Sequence, residues 1–360
     1  MWENKNVQDK NVQDKNVQDK NVQNKLLPFV SVCTPTFNRR PFIPYMIKCF
    51  EHQTYPKDRI EWIIIDDGTD PIEELVSHIP QVKYFYYEEK MLLGKKRNLM
   101  HTKCSGDIIV YMDDDDYYPV ERISHAVETL QKNPSYLIAG SSEMHIYFDS
   151  RDAVFQCGPY KQYHSTAATF AFKKELLLLT KYDDEIALSE ENKFTKGYTI
   201  PLIQLDILKS ILVFSHKHNS LNKEKLLKNP EQTRTSPSRY TVDDFITDPV
   251  LKQFYMYDMN NVLEGYEPGR PENKPILLEQ MKKMEDEREK RIAEHNKMLE
   301  SQQKILTFGH KPLNKDIEEL RNEYEKKISD KNILINELLK KLKEITIELS
   351  DYKTGKIVSK

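Results

Sequence analysis

Four carboxylates stand in a row, Asp113-Asp114-Asp115-Asp116, directly after the apolar run DIIVYM (107–112). Adjacent carboxylates repel one another and raise each other's pKa unless a cation sits among them. The chemistry this pattern supports is the clasping of an oxygen-loving divalent metal and of the oxygens such a metal carries. In an extended segment Asp113 and Asp115 project to one side and Asp114 to the other. The bland alternative is a solvated acidic turn, with Asp116 as the start residue of a helix after Pro119.

Other segments carry weaker signals when each is taken alone. IIIDDGTD (63–70) sets carboxylates beside a turn glycine and reads as an Asp-Gly turn after a strand. GKKRNLMHTKCSGD (94–107) is basic and reads as a solvated helix face. In VFSHKHN (213–219) His216 and His218 are two apart, so both face one side of an extended segment. One of them then completes a metal site, or both are ordinary histidines after a strand.

The elements that must position these groups are short apolar runs alternating with amphipathic stretches, the pattern of β-α-β units and a largely parallel sheet. Strands are predicted at FVSVCT (29–34), EWIIID (61–66), KYFYYE (83–88) and DIIVYM (107–112), with a later pair near YLIAG and MHIYF. Helices are predicted at 42–52, 72–78, 94–104 and 120–132, the last with Pro119 suited to its first turn. The acidic run therefore falls at the C-terminal end of a strand, where open α/β sheets bind ligands.

A chain of 360 residues accommodates one α/β domain of about 200–250 residues plus accessory segments. Lys and Arg number 54 against 57 Asp and Glu, a formal charge of −3, so nucleic acid is not an expected partner. The four cysteines lack the Cys-x-x-Cys spacing of zinc or redox motifs and read as reduced thiols. No apolar stretch approaches the roughly 20 residues of a membrane helix, and a polar N-terminus argues against a signal peptide; a cytoplasmic location is the expectation.

Residues 5–25 repeat KNVQD and its variant KNVQN, so 1–25 reads as a disordered tail and 26–225 as the catalytic domain. Residues 226–275 read as a polar linker with short helices, and 276–352 as long helices broken at Gly309-His310-Lys311-Pro312. In the second helix Ile335, Leu338, Leu342, Ile345, Leu349 and Tyr352 alternate in steps of three and four, the seam of a coiled coil. It predicts a homo-oligomer; a single amphipathic helix docked back on the catalytic domain is the alternative.

Taken together and in order, VSVCTPTFNR (30–39), IIIDDGTD (63–70), GKKRNLMHTKCSGD (94–107) and IVYMDDDDYYP (109–119) resemble glycosyltransferase family 2 on the GT-A fold. The likeness covers about residues 28–220. It implies a Rossmann-like mixed β-sheet flanked by helices, followed here by the helical extension. It implies an inverting transferase that moves a sugar from a nucleotide-diphosphate donor, UDP being the expected nucleotide, to an acceptor hydroxyl on a glycan, protein or lipid-linked molecule. Mn2+ or Mg2+ is the implied cofactor.

The resemblance also implies roles for residues. Pro35, Thr36 and Phe37 pack against the base with Arg39 nearby, and Asp67 accepts from the base. Lys95, Arg97 and Asn98 offset diphosphate charge. Asp113, Asp114 and Asp115 belong to the donor site, with Asp115 as metal ligand and Asp113 toward the ribose; His216 or His218 adds a late metal ligand. His164 and Thr166 line the sugar pocket. LSEENKF (188–194) aligns with the segment supplying the general base, Glu191 on the carboxylate that serves as base and Glu190 beside it as the alternative. Ser189 replaces the family's usual glycine, and Glu191 its usual Asp.

Two other chemistries fit less well. A haloacid-dehalogenase-like phosphatase needs Thr or Val two places after its second Asp, and Tyr117 and Tyr118 occupy that place in the two registers. A sugar-nucleotide pyrophosphorylase needs a glycine-rich loop, and TPTFNRRP has no glycine. A non-catalytic scaffold displaying the helices is the remaining alternative.

Overall fold

The computed structural model describes residues 27–228, 230–308 and 315–353. The pentapeptide repeats and the Gly309-His310-Lys311-Pro312 break lie outside the described residues. The chain divides into two units, Met1–Met284 and Glu285–Lys360.

The first unit begins with β1 (Val30–Thr36), α1 (Ile43–Glu51), β2 (Ile60–Asp66), α2 (Glu73–Val76), β3 (Val82–Tyr86), α3 (Leu93–Lys103) and β4 (Ile108–Tyr111). These are the strands and helices that the periodicity predicts, in parallel pairing: Val30 registers with Ile60 on one side and Ile108 on the other. Alternate residues of each strand enter different cores, Val32, Trp62, Ile64 and Val110 on one face and Cys33, Ile63, Ile65 and Tyr111 on the other. Both faces are covered, which is why β2 carries the unbroken apolar run Trp62–Ile65. Thr34 ties the centre together: its hydroxyl donates to Met112 O at 2.6 Å and accepts from Trp62 Nε1 at 2.9 Å.

After α4 (Arg122–Lys132) the chain adds β5 (Ile138–Gly140), β6 (Met144–Phe148), β7 (Ala153–Cys157), β8 (Ala171–Lys173), α5 (Glu190–Phe194), β9 (Leu202–Gln204) and β10 (Val213–Ser215). The β-α-β order does not persist. β8 inserts antiparallel between β4 and β5, so the main sheet runs β3-β2-β1-β4-β8-β5-β9 and is mixed. α4 starts at Arg122, driven by its apolar stripe Ile123, Ala126, Val127 and Leu130. Pro119 stays outside it, its carbonyl accepting from Arg122 N and Gln53 Nε2, and Asp116 lies too far upstream to cap the helix. The four cysteines are free and buried.

α6 (Glu224–Lys228), α7 (Pro230–Thr233) and β11 (Thr235–Pro237) follow, and a second sheet forms in the order β10-β6-β7-β11. The expected linker at 226–275 is corrected by what comes next. α8 (Pro249–Gln253), a π-helical turn (Phe254–Asp258) and α9 (Met259–Glu264) pack into the main core through Phe245, Ile246, Leu251, Phe254, Tyr255, Met259 and Leu263. Phe254 stacks on Tyr45 with centroids 3.4 Å apart. Mean polarity hides these anchors, which come singly or in pairs (Phe245-Ile246, Phe254-Tyr255) between exposed or part-exposed residues.

α10 (Pro275–Phe308) starts in the first unit, and α11 (Lys315–Lys353) lies in the second. On α11, Ile335, Leu338, Leu342, Ile345 and Leu349 are all more than half exposed. No helix among the described residues is long and apolar enough to cross a membrane.

Because Phe254 belongs to the core, Phe254→Ala is expected to cost about 3 kcal/mol of stability in urea denaturation of the full chain. A residue in an exposed tether would cost about 0.5 kcal/mol or less.

Candidate active site

The C-terminal ends of β1, β2 and β4 open onto a cavity of about 430 Å3. Its walls come from the loop after β1, the start of α3, the acidic run, the 187–191 loop and the segment 274–277. The β1 loop turns at Asn38, whose φ of +53° lies in the left-handed region that Asn tolerates. The Asn38 amide Oδ1 accepts from Asp70 N at 3.1 Å, and Gly68 packs so close that a Cβ there would meet that Oδ1 at 2.6 Å. The IIIDDGTD glycine is thus required by close approach.

Pro35, Thr36, Phe37 and Arg39 all line the cavity, as the resemblance implies. Asp67 lines it too, but its carboxylate is engaged within the protein, paired with Lys96 and accepting from Met91 N at 2.7 Å. In α3 the inward face carries Lys96 and Arg97, both buried. Lys95 is exposed and does not reach the cavity; Lys96 occupies the place expected of it. Asn98 also points elsewhere, its Nδ2 donating to Tyr182 O at 2.9 Å and Asp184 Oδ1 at 2.7 Å. Gly94, Arg97 and His101 fall on one buried face of this helix, and Lys96 reaches the cavity from outside that stripe.

Asp113, Asp114 and Asp115 all line the cavity. The segment bends instead of continuing β4, so Asp114 does not face away as an extended chain would place it. Arg39 Nη2 lies 3.2 Å from Asp115 Oδ2, Arg39 Nε 3.6 Å from Asp114 Oδ1, and Arg97 Nη2 3.6 Å from Asp113 Oδ1. Burial and the Asp115 charge push Asp114 up to about 7. Burial raises Asp113 against the pull of Arg97. For Asp115 burial acts upward but Arg39 and His216 outweigh it, holding the carboxyl below the usual range. Asp116 faces away from the cavity, accepting from Phe214 N at 3.4 Å.

His216 reaches the acidic run because Tyr117 and Leu212 exchange backbone hydrogen bonds of 3.0 and 2.9 Å, pinning the chain before β10 beside it. Its Nε2 is 3.2 Å from Asp115 Oδ2 and 2.7 Å from Asn219 Nδ2, while its Nδ1 accepts from His218 N at 3.2 Å. Burial pushes the ring down to about 3, so it is neutral. Nε2 thus stands between the Asp115 carboxylate and the Asn219 amide, which places the ring beside the acidic run. His218 does not join it. Both its ring nitrogens are buried without partners, and Arg39, Lys217, Arg270 and Lys274 surround it, an electropositive setting that disfavours a cation.

These residues fit a divalent cation in one respect: three desolvated carboxylates share the cavity, and Asp113 Oδ1 is buried with no hydrogen-bond partner. No three His, Cys, Asp or Glu side chains among the described residues form a complete ligand set, so a cation there would take its remaining ligands from phosphate and water.

Across the cavity, Glu190 is buried and accepts from Arg97 Nε at 3.0 Å. Glu191 is contacted by Tyr198 Oη at 3.4 Å, and burial with the Glu190 charge pushes it up to about 7. Ser189, which precedes α5, has φ +53°, the conformation that suits the glycine usual at this place. Thr166 lines the cavity; His164 does not, lying between Tyr160 and Tyr198 with ring centroids 4.7 Å from each. Lys90, Lys223 and Lys274 also line the cavity, and no sequence motif marks them.

The family model described as Glycosyl transferase family 2 matches residues 31–178. A glycosyltransferase of Haemophilus influenzae, itself uncharacterized, is 27% identical over 120 residues, 32% of this chain and 47% of that protein. The GalNAc(5)-diNAcBac-PP-undecaprenol β-1,3-glucosyltransferase of Campylobacter jejuni is 32% identical over 113 residues, 29% of this chain and 34% of that one. The chain therefore spans less than half the length of these relatives. Among solved structures, the mannosyltransferase PcManGT of Pyrobaculum calidifontis, in complex with GDP-Man and Mn2+, aligns over 66% of this chain and 72% of its own. Its identity is 18% and its TM-score 0.45.

The raised Glu191 has a stability consequence of fixed sign. The folded protein holds this proton more tightly than the unfolded chain, whose carboxyl titrates near 4.5, so the contribution is fully present below that pH and is lost as pH rises through about 7. Glu191→Gln is therefore expected to gain about 1–3 kcal/mol over the wild type between pH 5 and pH 8. Parallel urea denaturation at the two pH values reads the difference.

Proposed function

We propose that this chain, whose residues 31–178 match the family model described as Glycosyl transferase family 2, moves a sugar from a nucleotide-diphosphate donor to an acceptor hydroxyl with inversion. The observation that carries this reading is Arg97. One buried guanidinium touches Glu190 at 3.0 Å and Asp113 at 3.6 Å, so a candidate base segment and a candidate donor segment share one cavity.

In this reading Pro35, Thr36 and Phe37 wall the base, with UDP the expected nucleotide. Asp67 holds Lys96 and the chain at Met91 in place behind them. Asp115, beside His216, and Asp113 hold Mn2+ or Mg2+; the bound cation supplies positive charge at the departing diphosphate. Glu191 takes the proton of the acceptor hydroxyl as that oxygen bonds to the anomeric carbon and the bond to the diphosphate breaks. A carboxyl near 7 is suited to this work, since it is partly ionised at neutral pH yet basic enough to accept the proton. Glu190 stays with Arg97.

The exposed stripe of α11 supports a second element of the proposal, pairing with another copy of this chain. Its three-and-four spacing lets the same face serve as knobs and as holes.

Isothermal titration of UDP with Mn2+ tests the donor site. Asp115→Ala should abolish metal-dependent binding, whereas Glu191→Gln should bind within about threefold of wild type yet lose transfer by about 100-fold or more. Wild type that bound no nucleotide would favour the scaffold reading. For the helices, Leu338→Asp combined with Leu342→Asp should convert an oligomer to a monomer in sedimentation equilibrium; an unchanged mass refutes pairing through this face.

A further inference from the structure

The segment 266–281, outside the residues matched by the family model, walls the cavity through residues 274–277 and is held at several points as a strap. Tyr266 Oη donates to Asp70 Oδ2 at 2.8 Å, and Asn38 Nδ2 to Pro268 O at 2.9 Å. Gly269 is pressed against the β1 loop: a Cβ there would meet Asn38 O at 2.7 Å and His218 Nδ1 at 2.8 Å. Lys90 Nζ donates to Asn273 O at 2.8 Å. At the far end Gln280 Oε1 accepts from Ala187 N at 3.0 Å, its Nε2 donates to Glu185 O at 2.9 Å, and Leu277 packs on Ala187 and Leu188. The strap thus joins the donor-side wall to the loop that carries Glu191.

At its centre is Lys274, 8% exposed and lining the cavity. Its ammonium donates to Ser220 Oγ at 2.9 Å and stands 5.7 Å from the Phe37 ring, with Lys90 Nζ 4.0 Å from the same ring. Neither lysine has a carboxylate within ion-pair distance among the described residues. The buried Lys274 ammonium without a counter-ion is costly, and the exposed Lys90 adds a second positive charge beside the same ring. The arrangement calls for an anion that enters the cavity. Lys274 also lies within electrostatic reach of Asp114 and Asp115. It therefore stands between Phe37 and the acidic run, between the base end and the metal end of the proposed donor.

Resting on the nucleotide-sugar reading, we propose that the strap is a fixed wall of the donor site and that Lys274, with Lys90, holds the nucleotide's diphosphate. The cation count in the cavity is then set for a ligand that brings its own negative charge, and the strap couples donor binding to the position of the 187–191 loop.

The test compares UDP with uridine, each with Mn2+, on the full-length wild type, Lys274→Met and Lys274→Arg. Lys274→Met should weaken UDP by 10-fold or more and uridine by less than twofold, the retained uridine binding also showing that the variant is folded. Lys274→Arg should keep UDP within about threefold. An unchanged UDP affinity in Lys274→Met overturns the proposal, as does an equal loss for UDP and uridine, which would make the strap a shape element only. Wild type that binds neither UDP nor GDP overturns the donor reading itself.

Discussion

The site depends on one constraint: three carboxylates are taken out of water at the end of a buried strand and must be compensated in place. Asp114 is buried and Asp113 and Asp115 are only partly exposed, because β4 delivers them from the centre of a sheet covered on both faces. Arg39 and Arg97 meet them from the loop after β1 and from α3, at separations of 3.2 to 3.6 Å. Each guanidinium is itself buried and needs acceptors, so the charges fix one another's positions. Arg39 accordingly also donates to His218 O at 3.0 Å, and Arg97 lies over the Tyr111 ring at 4.4 Å.

Segments distant in sequence are recruited by the same requirement. The antiparallel insertion of β8 beside β4 brings residues 166–168 to the cavity, and the Tyr117–Leu212 bridge brings His216 to Asp115. The helices from 249 to 264 are held in the core by apolar anchors, and their exit delivers the strap to the β1 loop. A polar-looking stretch of chain thereby becomes structural support for an electrostatic site. The coupling is mutual, because the strap's contacts with Asn38 and Asp70 brace the loop from which Arg39 reaches the carboxylates.

What was legible in the sequence was local. Strands β1 to β4, the helices between them and the acidic run at a strand end follow from periodicity and from like-charge crowding, both properties of neighbouring residues. Lys95 illustrates where residue type without orientation misleads: one step along α3 separates an exposed lysine from Lys96 and Arg97, which face the cavity. Spacing pairs His218 with His216, but the chain turns after β10, and of the two rings that of His216 meets Asp115. An extended conformation turns Asp114 away, and the bend after β4 returns it to the cavity. Lys223 and Lys274 had no local signal, since they reach the cavity only through tertiary packing.

The choice between Glu190 and Glu191, open in the sequence, is narrowed by the same logic of compensation. Two adjacent acids begin a short helix, and among the described residues one guanidinium, that of Arg97, pairs with them. Arg97 takes Glu190, leaving Glu191 with the weaker Tyr198 contact and with the negative charge of its neighbour. The pair is thus divided into a salt-bridged acid and a raised one near 7, and it is the raised one that can exchange a proton at neutral pH. Ser189 contributes by geometry: its left-handed backbone, about 1–2 kcal/mol less favourable for a residue with a Cβ than for glycine, turns the chain so that both acids face the cavity. Such a cost is borne where the surrounding packing imposes the turn, and here Leu277 and Gln280 of the strap hold the loop that precedes it.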